Sequence, residues 1–248
     1  ELVKWRMLCG SAVPLPFSRF IGPLLSGVSL SVFTPNRIGE FAGRVWGLPP
    51  RYRWPAGMAS VMGSFAQLGT TLFVGGLALA YQTSTSFALT APFAWWIVLW
   101  FGLPVLLALW LAPVWLRYLL RQSKLKLAKR LVKASLRIRP KHMALALSFS
   151  LLRYLVFTAQ FLACVWAFAP EAELWSTLPK LSLVFFWNTV IPSQAFAEIF
   201  TRGSLSVYLL GADYGLHASL WLWAINLALP ALPGAFWLWR SSSKNSNA

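Results

Sequence analysis

The sequence is poor in acidic residues, cysteine and histidine, and these shortages exclude several classes of function. It has 6 Asp and Glu against 22 Lys and Arg, with only 2 Cys and 2 His. Cys9 and Cys164 are too few and too isolated for a disulfide framework or a thiolate metal site. His142 and His217 lie too far apart to suggest a ligand pair. Since there is also no Gly-rich phosphate loop, no HExxH and no CxxC motif, the sequence predicts no enzyme, cofactor or metal site.

Charged residues are missing altogether from one long stretch. Residues 54–116 contain no Asp, Glu, Lys or Arg, and the chain is 58% hydrophobic with 15 Trp, 18 Phe and a mean hydropathy of +0.61. A soluble domain cannot bury that much apolar surface, whereas a membrane helix needs about 20 apolar residues. We therefore expect an all-α, polytopic membrane protein formed by a single transmembrane domain over residues 1–248. The chain starts at Glu1 with no signal peptide, so we expect it to be N-terminally truncated.

The basic residues predict how the chain is oriented. Ten of the 22 lie between residues 117 and 141, where no acidic residue occurs. In a soluble protein such a run would suggest nucleic acid; between spanning helices it favours an anionic membrane surface and a cytoplasmic location. A helix lying on the inner leaflet and a solvated loop both fit its pattern. We therefore expect a multi-pass protein of the cell inner membrane that does not bind nucleic acid. The predicted spans are 54–81, 93–116, 142–168 and 214–239.

Two further segments, 18–49 and 177–212, do not fit simple spans. Each contains two apolar pieces, too short to cross a bilayer comfortably, around a central proline. We interpret each as a re-entrant helical hairpin, one entering from the cytoplasm and one from the opposite face, beside about four to five full spans. The predicted inverted repeats cover residues 1–116 and 142–240 and are joined by the basic segment 117–141. Such repeats are typical of secondary transporters.

The two hairpin segments carry matching motifs. In residues 33–44 and 190–202, a proline flanked by polar residues is followed by a glutamate four residues before an arginine. Ionisable groups inside hydrophobic segments are candidates for functional sites. The candidate substrate-binding residues are Thr34, Pro35, Asn36, Arg37, Glu40, Arg44, Pro192, Ser193, Gln194, Glu198 and Arg202.

Both motifs admit a functional and a structural interpretation. Thr34-Pro35 and Pro192-Ser193 suit helix starts, whose free N–H groups favour anions such as phosphate. Prolines that merely kink ordinary helices would give the same pattern. The Glu–Arg pairs have the spacing of intrahelical ion pairs, which either brace the hairpins or handle substrate and protons. Gly39 and Gly43 indicate a close helix contact.

A weaker similarity extends upstream of the motifs. Lys4-Trp5 precedes the first hairpin as Arg153-Tyr154 precedes the second, although the spacing to the glutamate differs. The similarity implies that the first ten residues end a helix whose beginning is missing.

The first motif and its upstream residues resemble the flippase-like family named for the transmembrane region of lysylphosphatidylglycerol synthase, over nearly the whole chain. The resemblance implies lipid translocation between leaflets, coupled in some members to aminoacylation of phosphatidylglycerol by a soluble C-terminal domain. The 248 residues contain no such domain, so we do not expect synthase activity. The second motif has Gln194 and Ala197 near the places of Arg37 and Gly39, and the two half-sites need not be equivalent. The matching residues are Lys4, Trp5, Arg6, Pro35, Arg37, Ile38, Gly39, Glu40 and Arg44.

The sequence thus predicts a lipid flippase-like transporter that moves an anionic phospholipid or lipid-linked phosphate head group between leaflets. Two alternatives stay open. One is a secondary transporter of a small soluble anion. The other is a non-transporting accessory subunit of an envelope-lipid enzyme.

Overall fold

The structure is a computed structural model that describes residues 1–34, 38–86, 107, 110, 111, 114, 118, 138, 140–191 and 195–246. These residues form helices and connecting turns, with no strand among them, so the all-α prediction is confirmed. The predicted span 93–116 and the basic segment 117–141 lie outside the described residues, except for positions 107, 110, 111, 114, 118, 138, 140 and 141.

The described helices are numbered α1–α9 in chain order. A π-helical turn, Ala224–Ala228, joins α8 to α9, and a 3-10 turn, Gly10–Ala12, follows α1. The bounds are α1 Leu2–Cys9, α2 Ser18–Phe33, α3 Ile38–Trp46, α4 Pro50–Ser86, α5 Pro140–Phe168, α6 Leu174–Val190, α7 Ala195–Leu210, α8 Ala212–Trp223 and α9 Leu229–Ser246.

In the part of the chain that the structure describes, three helical stretches are long and apolar enough to cross a membrane: Pro50–Thr83, Pro140–Phe168 and Ala212–Arg240. At about 1.5 Å per residue, even 29 residues reach beyond the ~30 Å hydrocarbon layer. They coincide with the predicted spans 54–81, 142–168 and 214–239. Large apolar side chains elsewhere, such as Phe200 and Tyr208, are strongly exposed, as lipid-facing side chains would be.

Both predicted hairpin segments form two helices separated by a break. The 16-residue α2 packs against the 9-residue α3, and the 17-residue α6 packs against the 16-residue α7. Glycines make the first contact close, because a Cβ atom on Gly43 would lie 2.6 Å from Cα of Gly27. The close approach expected of the glycines in this half-helix is therefore confirmed.

The outer ends of the two hairpins, opposite their tips, lie near opposite ends of the long helix formed by α8 and α9. Gly22 near the start of α2 and Gly47 just after α3 both contact Trp237, near the C-terminal end of that helix. Leu174 at the start of α6 and Leu210 at the end of α7 pack in one apolar cluster with Tyr214, near its N-terminal end. The second hairpin can join this helix directly because Gly211, between α7 and α8, adopts a φ of 118°, a conformation that favours glycine.

Contacts between the two halves are reciprocal. α2 packs along α9, while α6 packs along α4. In each contact a glycine of the long helix meets the hairpin: Gly234 lies against Leu25 and Ser29, and Gly75 lies against Phe186. Gly234 follows Gly75 by 159 residues, and the glutamate of the second motif follows that of the first by 158. The two glycine contacts are therefore almost as far apart in the sequence as the two motifs are.

Among the described residues, two large hydrophobic cores hold this arrangement, and α5 contributes to both. One core joins α1, α2, α4 and the first turns of α5 around Trp5, Phe20 and Met62. The other joins the last turns of α5 to α6, α7 and α8 around Phe161 and Leu181. The middle of α5 lies between these cores, and there the polar residues of the next section converge.

Candidate functional site: a charged cavity between the hairpins

A cavity of about 850 Å³ lies between the two halves, and both sequence motifs reach it. Glu40 and Arg44 line it from α3, and Glu198 and Arg202 line it from α7. Residues far apart in the sequence thus share one polar space. Its walls also include Glu1, Lys4, Phe41, Ser60, Val61, Gly63, Ser64, Phe65, Gln67, Leu68, Thr71, Arg153, Tyr154, Phe157, Phe185, Asn188, Thr189 and Ile191.

Both predicted Glu–Arg pairs form ion pairs within their helices. Arg44 donates to the carboxylate of Glu40, and Arg202 donates to that of Glu198. The second pair is the more enclosed, since Glu198 and Arg202 are 4% and 8% exposed. Asn188 of α6 donates from Nδ2 to Oε1 of Glu198 at 3.3 Å. The second pair thereby also ties its two hairpin helices together.

Glu1 is a third carboxylate of the cavity, and cations from three helices surround it. Its Oε1 lies 2.6 Å from Nζ of Lys4 in α1 and 2.6 Å from Nη1 of Arg153 in α5. Its Oε2 lies 3.4 Å from Nη2 of Arg44 in α3. Three cations arranged around one carboxylate form a site suited to an anion.

These cations are held firmly in place. Lys4, 2% exposed, also donates to the carbonyl oxygen of Gly63 and to Oγ of Ser150, both at 3.2 Å. The Arg44 guanidinium, 4% exposed, lies 5.6 Å from the ring centre of Trp5, within cation–π range. Its Nε has no hydrogen-bond partner in the part of the chain that the structure describes.

The first hairpin tip is described at Thr34 and from Ile38 onward. Thr34 caps the following helix, because its Oγ1 accepts a hydrogen bond from the amide of Gly39 at 2.7 Å. Thr34 follows α2 directly and also donates back to the carbonyl oxygen of Leu30 at 3.1 Å. The described part of α3 begins at Ile38, and the helix start predicted at Pro35 lies outside the described residues.

The second tip is described from Ala195 onward, where the described part of α7 begins. The helix start predicted at Pro192-Ser193 stays a prediction, because it lies outside the described residues. Six of the candidate residues lie outside the described part of the chain: Pro35, Asn36, Arg37, Pro192, Ser193 and Gln194.

Glu1, Lys4 and Arg153 were not among the candidate site residues. The similarity between Lys4-Trp5 and Arg153-Tyr154 was the signal that could have found the two cations. Their aromatic neighbours repeat as well. Trp5 packs edge-on against Phe20 of α2 with ring centres 5.1 Å apart, and Tyr154 packs edge-on against Phe185 of α6 at 5.7 Å. Each half thus places a cation and an aromatic ring beside the first helix of its own hairpin.

Polar residues of the apolar helices take different roles. Asn188 makes an interhelical hydrogen bond to Glu198. Asn226 instead donates to the carbonyl oxygen of Leu222 in its own helical segment at 3.1 Å. Gln67 lines the cavity, and its buried Oε1 has no hydrogen-bond partner among the described residues.

Comparisons with protein-family models, with curated proteins and with solved structures found no match to this chain. The family resemblance of the first motif stays a prediction. Within the described residues, no group of three His, Cys, Asp or Glu side chains is arranged to hold a metal ion.

Proposed function

We propose that this protein is a lipid flippase-like transporter that carries an anionic head group through the charged cavity while the acyl chains stay in the bilayer. The observation that supports this most is the convergence of both Glu–Arg pairs and the Glu1 cluster on one cavity. Charges inside an apolar helical protein are costly and mark ion or substrate pathways.

In this proposal the hairpins are re-entrant and enter from opposite faces of the inner membrane. The 16-residue α2 would be roughly 24 Å long, shorter than the ~30 Å hydrocarbon layer. The opposite openings of the hairpins along α8–α9 and the reciprocal glycine contacts support inverted repeats. Breaks in helices are tolerated at membrane depth where they face a polar cavity. The site then lies between two halves that can rock against each other.

The Glu1 cluster supplies the anion site of the mechanism. Without substrate, the Glu1 carboxylate is the shared counter-ion of Lys4, Arg44 and Arg153. A lipid phosphate presents the same kind of oxygen acceptors, so it exchanges with Glu1 for these cations. The pair Glu198–Arg202, on the opposing hairpin, receives the head group as the halves move. The three cations thus keep an anionic partner with and without substrate.

The resemblance of the first motif and the apolar exterior support a lipid as the substrate. Strongly exposed aromatic side chains, among them Phe33, Trp175 and Phe200, suit a surface in contact with acyl chains. Only the head group of a lipid needs a polar route through the protein, because the acyl chains stay in the bilayer.

Lipid movement in proteoliposomes tests the proposal. Phosphatidylglycerol carrying a fluorophore on an acyl chain is quenched from outside, and the fraction that becomes accessible is followed with time. Arg44→Gln and Arg153→Gln should each slow translocation strongly, whereas Arg19→Gln, at an exposed position outside the cavity, should not. The assignment would be rejected if quenching with the wild-type protein were no faster than in empty vesicles.

The Glu1 cluster also favours a second candidate, a transporter of a small soluble anion, because three cations around a carboxylate need no acyl chain to bind their ligand. Soluble anions would then compete with lipid for binding and would themselves accumulate in the vesicles. Lipid binding that soluble anions do not displace would exclude this alternative.

A further inference from the structure

One wall of the cavity is polar but uncharged. Ser60, Ser64, Gln67 and Thr71 all line the cavity from α4. Their spacings of four, three and four residues place them on one face of the helix. The surrounding stretch, Pro50–Thr83, is apolar enough to span a membrane. The neutral polar groups are therefore concentrated where the cavity is.

This wall offers hydrogen-bond acceptors. Ser60 donates its hydroxyl proton to the carbonyl oxygen of Ala56 at 3.1 Å, and Thr71 donates to that of Gln67 at 3.0 Å. Both hydroxyl oxygens keep lone pairs that can accept. The Gln67 Oε1, buried and without a partner among the described residues, is an acceptor only. A buried acceptor without a donor is unfavourable, and because Gln67 lines the cavity, rotation of its carboxamide would let this oxygen accept from a molecule that fills the space.

The other wall offers donors. Lys4, Arg44 and Arg153 surround the Glu1 carboxylate, and the Nε of Arg44, a side chain 4% exposed, has no hydrogen-bond partner in the described structure. A ligand that satisfies both walls needs an anionic group at one end and hydrogen-bond donors at the other.

The charges lining the cavity limit how anionic that ligand can be. Among the side chains of the described lining residues there are four cations and three carboxylates, a net side-chain charge of +1. A single negative charge balances this site, as in a phosphodiester, whereas a phosphomonoester dianion exceeds it. The cations are Lys4, Arg44, Arg153 and Arg202, and the carboxylates are Glu1, Glu40 and Glu198.

We propose that the α4 wall is a specificity subsite that binds the hydroxyl groups of a singly charged phosphodiester head group, with the Gln67 carboxamide oxygen as its main acceptor. This inference rests on the proposed function and names the class of head group that the same site selects. Glycerol or another polyol, esterified to phosphate, has the required donors and charge. A site that hydrogen-bonds a substrate hydroxyl discriminates strongly against an analogue that lacks it.

The test compares two lipids that differ only in the head-group hydroxyls. Phosphatidylglycerol and phosphatidylmethanol both carry one negative charge on a phosphodiester, but phosphatidylmethanol has no hydroxyl. Translocation of each is measured in proteoliposomes containing the full chain. The wild type should move phosphatidylglycerol at least about tenfold faster. Gln67→Leu should remove most of that preference by slowing phosphatidylglycerol alone, and Ser64→Ala, a smaller change at an exposed position, should reduce it in part.

Gln160→Leu is the matched control, because this glutamine also has a buried Oε1 without a partner among the described residues but does not line the cavity. It should leave the preference unchanged. Equal rates for both lipids in the wild type, or an unchanged preference in Gln67→Leu and Ser64→Ala, would overturn the subsite. A wild type that moves neither lipid overturns the proposed function itself. If the protein took up soluble glycerol phosphate in a Gln67-dependent way and moved no lipid, the subsite would stand. Its ligand would then be a soluble compound and not a lipid head group.

Discussion

Lys4 of α1 and Arg153 of α5 bind the same carboxylate oxygen of Glu1, each at 2.6 Å. The two cations are far apart in the sequence, and each is followed by an aromatic residue that packs on the first helix of a hairpin. At the centre of the molecule, each half therefore supplies a cation that is followed by an aromatic residue. A shared counter-ion at this point is suited to exchange with an anionic substrate.

Neutralising Glu1 tests this exchange. In Glu1→Gln the three cations lose their carboxylate, so a lipid phosphate no longer displaces a competitor. Affinity for short-chain phosphatidylglycerol, measured by calorimetry in detergent, should rise at least about tenfold. Glu171→Gln, at an exposed position outside the cavity, is the control and should bind like the wild type. Unchanged or weaker binding in Glu1→Gln would mean that Glu1 is a structural brace.

The two Glu–Arg pairs should differ in their contribution to stability. The Glu198 side chain is 6% exposed, whereas that of Glu40 is 26% exposed. Glu198→Gln leaves the charge of Arg202 in an enclosed site and should lower the free energy of unfolding by about 3–5 kcal/mol. Glu40→Gln should cost about 1 kcal/mol or less, because Glu40 is partly exposed and Arg44 keeps Glu1 as a second carboxylate partner. Thermal unfolding in detergent measures both.

The double variant Glu198→Gln/Arg202→Gln completes that comparison. It removes both charges and should recover part of the loss. A larger loss in Glu40→Gln than in Glu198→Gln would contradict the burial of the second pair.

Alanine substitution of glycine should depend on the helix contact at that position. A Cβ atom on Gly43 would lie 2.6 Å from Cα of Gly27, whereas one on Gly76 would meet nothing within 4 Å. Gly43→Ala should therefore destabilise the protein by about 1–3 kcal/mol. Gly76→Ala, the matched control in α4, should be neutral or stabilising by up to ~1 kcal/mol, because alanine favours the helix. Equal melting temperatures for the two variants would show that α2 and α3 are not in close contact.

Local signals in the sequence predicted much of this molecule. Apolar length predicted the three long helices, and the spacing of four residues predicted the Glu40–Arg44 and Glu198–Arg202 ion pairs. These features depend on neighbours along the chain. Gly39 and Gly43 predicted a close helix contact, and the structure shows that the partner is α2.

Features that depend on tertiary packing were not predicted. Glu1 meets Arg153 only because α1 packs against α5, and composition carries no trace of that contact. Thr34 caps α3 from four residues before Ile38, a geometry set by the hairpin and not by the usual spacing of a cap. Asn226 bonds within its own helical segment because the choice of partner depends on which face the neighbouring helix covers.

The proposed transport mechanism depends most on two hairpins that enter the bilayer from opposite faces and enclose one charged cavity. Thiol labelling tests this directly, with cysteines placed at Ser18 and Ser176, exposed residues in the first turns of α2 and α6, in a chain without Cys9 and Cys164. A membrane-impermeant reagent added to intact cells stripped of their outer membrane should label the cysteine at 176 and not the one at 18. In inverted vesicles the pattern should reverse. Labelling of both positions from the same face would contradict the inverted arrangement and the transport mechanism built on it.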